Sequence, residues 1–221
     1  MAVAARTREA YARWAPLYPP FAHNPLMRAE QAAMLDLWPD VRGRRVLDLA
    51  CGSGRYSRLF VEHHAAQVVA LDDCAAMLAQ VSGAERVRGT MMSLPFVSGA
   101  FDVVVCGLAI GHAFDIAPWM SEVARVLKNT GLLLYSDFHP AAARAGLPRS
   151  FKDRQDRQVT VPHSCHELAD QLRAVSAANL TVDAVREVRA GIELKEAFSQ
   201  SADFYRRWHG LPLVLIVRAR K

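Results

Sequence analysis

Apolar and polar positions alternate in blocks along most of this chain. Short, almost uniformly apolar runs fall at Arg45–Ala50, Gln67–Leu71, Arg86–Arg88, Phe101–Leu108 and Gly131–Asp137. Between them, apolar residues recur with helical spacing at Arg55–His64, Ala75–Val81 and Ile116–Leu127. Apolar runs of this kind suit strands covered on both faces, and their alternation with helices implies parallel βαβ units. Upstream, Tyr18-Pro19-Pro20 interrupts any helix, and a new one is expected from Asn24, with Pro25 in its first turn. It carries Leu26, Ala29, Ala33, Met34 and Leu37 on one face and should stop near Pro39. In the final third, Ser164–Ala178 and Ile192–Trp208 read as helices, and Leu180–Val188 and Leu211–Arg218 as strands. The connection His139–His163 is too long for a tight turn and is expected to be a functional loop or lid. No break in composition divides the chain. The expectation is therefore one domain over 1–221, with a helical cap at 1–40 and an insertion or lid at 139–163.

Composition narrows the class without naming a chemistry. With 221 residues, 52% hydrophobic and 22% charged, the chain can bury a substantial core and reads as an ordinary globular protein. The formal net charge is +5, but the arginines are scattered, which reads as a solvated surface; nucleic acid is not an expected partner. Cys51, Cys74, Cys106 and Cys165 are widely spaced and form no CxxC pair, so free thiols are expected. The N-terminal stretch holding Arg6, Arg8, Glu9 and Arg13 is amphipathic, without the apolar core of a secretory signal. No run reaches the ~20 apolar residues of a membrane span. A cytoplasmic protein without a membrane partner is expected; oligomeric state is not readable.

The strongest chemical signal is Val46-Leu47-Asp48-Leu49-Ala50-Cys51-Gly52-Ser53-Gly54-Arg55, an apolar strand ending in an acid, a glycine turn and a helix start. Glycines there permit a tight turn and close approach of a ligand to the backbone, and the helix N-terminus aims N–H groups at it. The run is neither the dinucleotide fingerprint, which needs glycine at Ser57, nor a P-loop. A second strand, Val68–Leu71, ends in Asp72-Asp73, and a carboxylate there can accept hydrogen bonds from both ribose hydroxyls of an adenosine. Either acid can instead cap the helix that begins near Cys74.

These two motifs resemble the first two motifs of class I S-adenosylmethionine (SAM)-dependent methyltransferases. Arg88-Gly89-Thr90-Met91-Met92-Ser93-Leu94-Pro95-Phe96, Gly99–Val104 and Val123–Ser136 resemble that family's third-strand exit, fourth strand, and fifth helix and strand. The similarity covers roughly 40–140, and the subgroup is that of the quinone-pathway and biotin-pathway methyltransferases. The resemblance implies a Rossmann-like α/β fold with a seven-stranded, mostly parallel sheet in the order 3-2-1-4-5-7-6. The last strand is antiparallel and helices cover both faces. It also implies SAM as cofactor and S-adenosylhomocysteine (SAH) as product. The cofactor contacts it implies are Asp48, Ala50, Gly52, Ser53, Gly54, Asp72, Asp73, Met77, Thr90, Met91, Met92 and Cys106. Alanine at Ala50 replaces a frequent glycine, which an ordinary backbone angle would tolerate. Thr90 replaces a frequent acid and can accept one hydrogen bond from the adenine. Tyr11-x-x-x-Ala15-x-x-Tyr18 resembles the family's lead-in segment, whose tyrosines either cover the sulfonium by cation–π contact or simply pack the helix.

Two histidines follow the fourth and fifth strands, His112 and His139, and are the candidate catalytic bases, with a surface or capping role as the alternative for each. The end of the fourth strand reads Cys106-Gly107-Leu108-Ala109, without the Asn/Asp-Pro-Pro-Tyr/Phe signature of nucleic-acid N-methyltransferases. The expected reaction is methyl transfer to oxygen or carbon of a small-molecule or carrier-bound acceptor. The alternatives are a non-catalytic SAM-fold binding or regulatory protein and an RNA methyltransferase. Arg144, Arg149, Lys152, Arg154 and Arg157 crowd the 139–163 connection. They either read an anionic group on the acceptor or are solvated loop charges.

Overall fold

The computed structural model describes residues 2–191 and 206–221. The expected helix Ile192–Trp208 therefore lies, except for its last three residues, outside the described residues. The central strands are β1 (Arg45–Leu49), β2 (Gln67–Asp72), β3 (Glu85–Arg88), β4 (Phe101–Cys106) and β5 (Leu127–Phe138). A two-stranded hairpin follows, β6 (Ser150–Lys152) with β7 (Gln158–Thr160), and then β8 (Thr181–Arg189) and β9 (Pro212–Arg220). The main sheet runs β3-β2-β1-β4-β5-β9-β8. β1 to β5 pair in parallel, whereas β9 is antiparallel to both β5 and β8. With the hairpin set aside, this is the order implied by the resemblance.

The apolar runs are apolar because they alternate between two cores. Val104 and Cys106 of β4, Leu133 and Tyr135 of β5, and Leu215 and Val217 of β9 face one side. There they pack on α5 (Ile116–Val126) through Trp119, Met120 and Val123, and on α7 (Leu168–Ala177) through Val175. Their neighbours Val103, Val105, Leu132, Leu134, Val214 and Ile216 face the other side, with Met34 of α2 (Pro25–Asp36) and Leu59 and Phe60 of α3 (Arg55–Glu62). Strand side chains alternate faces, so a sheet buried on both sides needs apolar residues at every position.

Local signals set the boundaries. Asn24 caps α2 by accepting from the Met27 amide at 2.9 Å, with Pro25 in the first turn. Asp115 caps α5 through the Ala117 amide at 3.0 Å. Three elements depart from the sequence reading. The helix expected over Ala75–Val81 is one turn, α4 (Ala75–Leu78). α7 begins at Leu168 rather than Ser164, and the Ser164 amide donates to the Gly111 carbonyl at 2.6 Å. β5 begins at Leu127, which pairs with Phe101, so Lys128–Thr130 is strand rather than turn. The 139–163 connection holds a short helix, α6 (Pro140–Arg144), as well as the β6–β7 hairpin. The N-terminal stretch forms α1 (Ala2–Trp14) and a 3-10 turn at Ala15–Leu17.

Candidate functional site

The carboxyl ends of β1, β2 and β4 open onto a cavity of about 230 Å³. In an open α/β sheet this edge, where the strand order switches direction, is where ligands bind. The loop after β1 forms one wall. Asp48 is buried and accepts from the Ser57 amide at 2.7 Å and its hydroxyl at 2.6 Å, tying the strand end to the first turn of α3. Ala50 has φ 55°, the left-handed region. The ordinary angle expected there is not what the turn requires. The chain doubles back so that the Cys51 amide meets the Leu71 carbonyl at 3.0 Å, and a non-glycine residue held this way stores ~1–3 kcal/mol of strain.

Asp72, at the end of β2, accepts from the Gly52 amide and from the Cys74 amide, each at 2.8 Å. It braces the turn that leads into α4 and faces the cavity at once; each oxygen keeps a second lone pair. Asp73 also lines the cavity, half-buried, with Arg8 and Arg88 near enough to offset part of its desolvation. Burial raises both Asp48 and Asp72 to about 6, against the pull of their hydrogen bonds from Ser57 and from the backbone amides. Met77, Thr90, Met91 and Met92 complete this end, with Leu71. Thr90 Oγ1 accepts from the Met92 amide at 3.2 Å, so its hydroxyl oxygen is already engaged locally.

Three of the expected cofactor residues do not line the cavity. Ser53 is buried, and its hydroxyl donates to the Pro19 carbonyl at 3.1 Å. Gly54 is the N-cap of α3 at φ 88°, and a Cβ there would meet Val81 at 3.1 Å. The turn and Val81 alone thus call for glycine there. Cys106 is fully buried among the α5-side core residues, one residue before the strand opens into the cavity at Gly107.

The other end of the cavity is aromatic. Tyr11 and Trp14 of α1, and Tyr18, line it. Trp14 stacks on Phe151 of β6 with ring centroids 4.5 Å apart, and Arg13 pairs with the buried Asp153 at 2.6 Å. The N-terminal helix and the hairpin therefore cover the cavity as one packed unit. His112 lies below them. Its Nε2 is 2.9 Å from the Tyr11 hydroxyl and 3.0 Å from Arg149 Nη1. Burial, then Arg149 and His163, hold its pKa well below the usual histidine range. His139 lies elsewhere: Nδ1 caps α6 by accepting from the Ala141 amide at 3.0 Å, and Nε2 is 3.3 Å from Glu187. It is not among the cavity residues, so the structure withdraws its candidacy as a base.

The residues that organise this end were not read from the sequence. Glu30 of α2 is fully buried and accepts from Arg55 at 2.7 Å, from the Tyr56 hydroxyl at 2.8 Å and from the Ser136 hydroxyl at 2.5 Å. Ser136 in turn accepts from the Leu108 amide at 2.9 Å. Asp137 holds the Gly111 amide and the Arg149 guanidinium. Two successive polar residues at the end of β5 thus shape the 107–112 loop that carries His112. Leu108 takes φ 54° in that loop. Gly107 lies against Tyr56: an added Cβ would fall 2.9 Å from Cδ2 and closer still to Cε2. The available signal was Glu30, an acid placed on the otherwise apolar stripe of α2.

The loop cations are mostly spoken for. Arg144 pairs with Glu167, Lys152 with Asp156, Arg157 with Asp153 and Arg149 with Asp137. Of the five, only Arg149 lines the cavity.

A mostly parallel seven-stranded sheet with a cavity at the carboxyl ends of its strands defines a Rossmann-like fold. Residues 47–135 match the methyltransferase domain family. Over 131 residues, 58% of this chain and 51% of the relative, the sequence is 34% identical to a malonyl-[acyl-carrier protein] O-methyltransferase of Enterobacter lignolyticus. Over 120 residues, 48% of this chain and 50% of the relative, it is 32% identical to a 2-phytyl-1,4-naphtoquinone methyltransferase of Synechocystis. The chain spans about half the length of these curated relatives. The crystal structure of a SAM-dependent methyltransferase from Mesorhizobium loti superposes with a TM-score of 0.69 at 24% identity, covering 87% of this chain and 98% of that one. This is a likeness of fold. Residues 47–135 are thus similar to methyltransferase domains, and the relatives that share this region are named as methyltransferases. Among the described residues, no helix is long and apolar enough to cross a membrane, and no cluster could hold a metal ion.

Proposed function

We propose that the cavity binds SAM and that the chain transfers its methyl group to a small-molecule or carrier-bound acceptor, as the names of the two curated relatives suggest. The observation that carries this reading is the pair of buried carboxylates on the cavity wall, Asp48 and Asp72, held by hydroxyl and amide donors rather than by cations. A wall of this kind suits a cationic ligand with ribose hydroxyls. Asp72 would take the ribose through its free lone pairs, Ala50 and Gly52 would border the methionine part, and Met77, Met91 and Met92 would pack the adenine. SAM supplies the electrophilic methyl on a sulfonium. The protein's part is to position the two reactants and exclude water, which can account for much of the rate. Tyr11, Trp14 and Tyr18 would form the cover, with 1–40 as cap and 139–163 as lid over a single domain. The cytoplasm is the proposed location, consistent with four free cysteines.

Calorimetric titration with SAM and SAH tests the reading; dissociation constants of roughly 1–10 μM are expected. Asp72→Ala should weaken binding by about 2 kcal/mol, through lost ribose bonds and a loosened Gly52 turn. Absence of binding at millimolar SAM would overturn it. Turnover on a metabolite panel then separates an enzyme from a binding protein.

A further inference from the structure

The acceptor end of the cavity contains a histidine that is not available as a base. Arginine is only ever a donor, and Arg149 Nη1 sits 3.0 Å from His112 Nε2. The ring nitrogen must therefore be the acceptor, which places the ring proton on Nδ1 and commits the Nε2 lone pair. The Tyr11 hydroxyl, 2.9 Å from the same nitrogen, competes for that lone pair. Arg149 cannot easily turn away. Its Nη1 also donates to the Leu108 carbonyl at 2.6 Å, its Nη2 pairs with Asp137, and the guanidinium lies 4.5 Å above the Phe138 ring. The charged and titratable groups facing His112 are thus Tyr11 from α1, Arg149 ahead of β6, His163 ahead of α7 and, behind Arg149, Asp137 of β5.

The remaining acids near this end are equally engaged. Asp137 accepts from the Gly111 and Phe138 amides and from Arg149. Glu30 accepts from Arg55, Tyr56 and Ser136. The two cations and two carboxylates cancel pairwise and His163 does not line the cavity, so the residues lining this end offer neither a free proton acceptor nor a spare negative charge.

Building on the methyltransferase reading, we propose that Arg149 is a specificity-determining residue: by occupying the His112 ring nitrogen it confines methyl transfer to acceptors whose nucleophilic oxygen is ionised before it binds, such as a carboxylate, enolate or acidic phenolate. An alcohol would have to lose its proton during attack, and no group here takes it. A neutral amine would become a cationic product, and no free carboxylate here receives it. An oxyanion needs neither. Its lone pair forms the new C–O bond, the C–S bond of the sulfonium breaks with its pair going to sulfur, and a neutral ether or ester and a neutral thioether result, with no proton released. Two opposite charges are annihilated, which a dry, low-dielectric cavity favours.

Two measurements test this on the full chain. The first needs no acceptor: nitrogen-15 NMR of the imidazoles, with His112 assigned by its absence in His112→Gln, in the presence of SAH. The expected result is the Nδ1–H tautomer with no titration between pH 5 and 8. In the charge-neutral double variant Arg149→Met/Asp137→Asn, His112 should titrate nearer the ordinary value. An Nε2–H tautomer in the unmodified protein, or titration near pH 6–7, overturns the proposal. The second measurement is labelled methyl transfer from SAM to benzoates, phenols of graded acidity, aliphatic alcohols and amines. Turnover should be confined to ionised oxygens, with a pH midpoint that follows each acceptor's own pKa. Transfer to alcohols or amines, or an acceptor-independent midpoint lost in His112→Gln, overturns it. Failure of SAM or SAH to bind would instead count against the methyltransferase reading, while the tautomer measurement, repeated without SAH, still decides the role of Arg149.

Discussion

Gly107→Ala gives the most direct check on how the cavity wall is built. The backbone at Gly107 is not left-handed, so alanine costs nothing in conformation there. The conflict is with Tyr56, whose Cδ2 would lie 2.9 Å from the new methyl carbon. Tyr56 is 3% exposed, stacks with Trp38 at 5.6 Å and donates to the buried Glu30 at 2.8 Å. The ring has little room to move without losing that bond. Overpacking costs ~1–3 kcal/mol, and a hydrogen bond to a charged group is worth ~1.5–3 kcal/mol. Because the ring escapes one cost by accepting the other, a total near 3 kcal/mol is expected, lowering Tm by roughly 6–12 °C for a chain of this size. Scanning calorimetry measures it, and the same change in a Tyr56→Leu background isolates the cause. With the ring gone, Gly107→Ala should cost less than ~1 kcal/mol, the signature of direct coupling. Equal losses in both backgrounds would refute the argument.

Gly54→Val should unfold the protein more readily instead of blocking the ligand alone. A branched side chain at φ 88° facing Val81 at 3.1 Å should cost about 3 kcal/mol, and an unchanged urea midpoint would contradict this. Arg144→Ala removes an exposed ion pair with Glu167 and should change stability by less than ~0.5 kcal/mol. Arg149→Ala strands the buried Asp137 and should cost ~3–5 kcal/mol by the same urea assay. Asp48 and Asp72 sit at about 6 in the folded chain, above their ordinary 3.8. The folded state thus holds extra protons between about pH 4 and 6, and these two groups make stability fall as pH rises through that window. Asp48→Asn keeps an acceptor for Ser57 and should flatten that fall in a pH series of urea unfolding curves; an unaltered slope would count against a raised Asp48.

The strands and most helices were legible because burial on both faces leaves an unmistakable apolar run, as in Val103-Val104-Val105, and because caps such as Asn24 and Asp115 are local chemistry. The β1–β2 end of the cavity was legible for a related reason. Asp48, Ala50, Gly52 and Asp72 line it within a few residues of one another along two adjacent strands. The β4–β5 end was not, since it is assembled from Glu30, Arg55, Ser136, Asp137 and Arg149, which meet only after the sheet has formed. His112 and His139 show the limit clearly. Both follow a strand at the carboxyl edge, yet His139 turns to cap α6 and to meet Glu187, while His112 faces the cavity. Nothing in either neighbourhood of sequence separates them.

The two ends of the cavity handle charge in opposite ways, and that contrast links fold to chemistry. At the end formed by β1 and β2, Asp48 and Asp72 are buried against neutral donors, so their negative charge is costly until a cation arrives. At the end formed by β4 and β5, Arg149 answers Asp137 and Arg55 answers Glu30 at close range. A ligand there meets a wall already balanced. In the proposed reaction a sulfonium at the first end and an oxyanion beside it would be each other's counterion, and the transfer that removes both charges would also remove the reason for the products to stay. Swapping the arrangements would undo this. Paired acids at the first end would lose their attraction for a cation, and a lone carboxylate at the second would repel the acceptor. On the proposed reading the buried pairs would therefore do more than hold the 107–112 loop in place: they would keep the β4–β5 end electrically quiet, so that the cofactor's charge would be the field the acceptor feels.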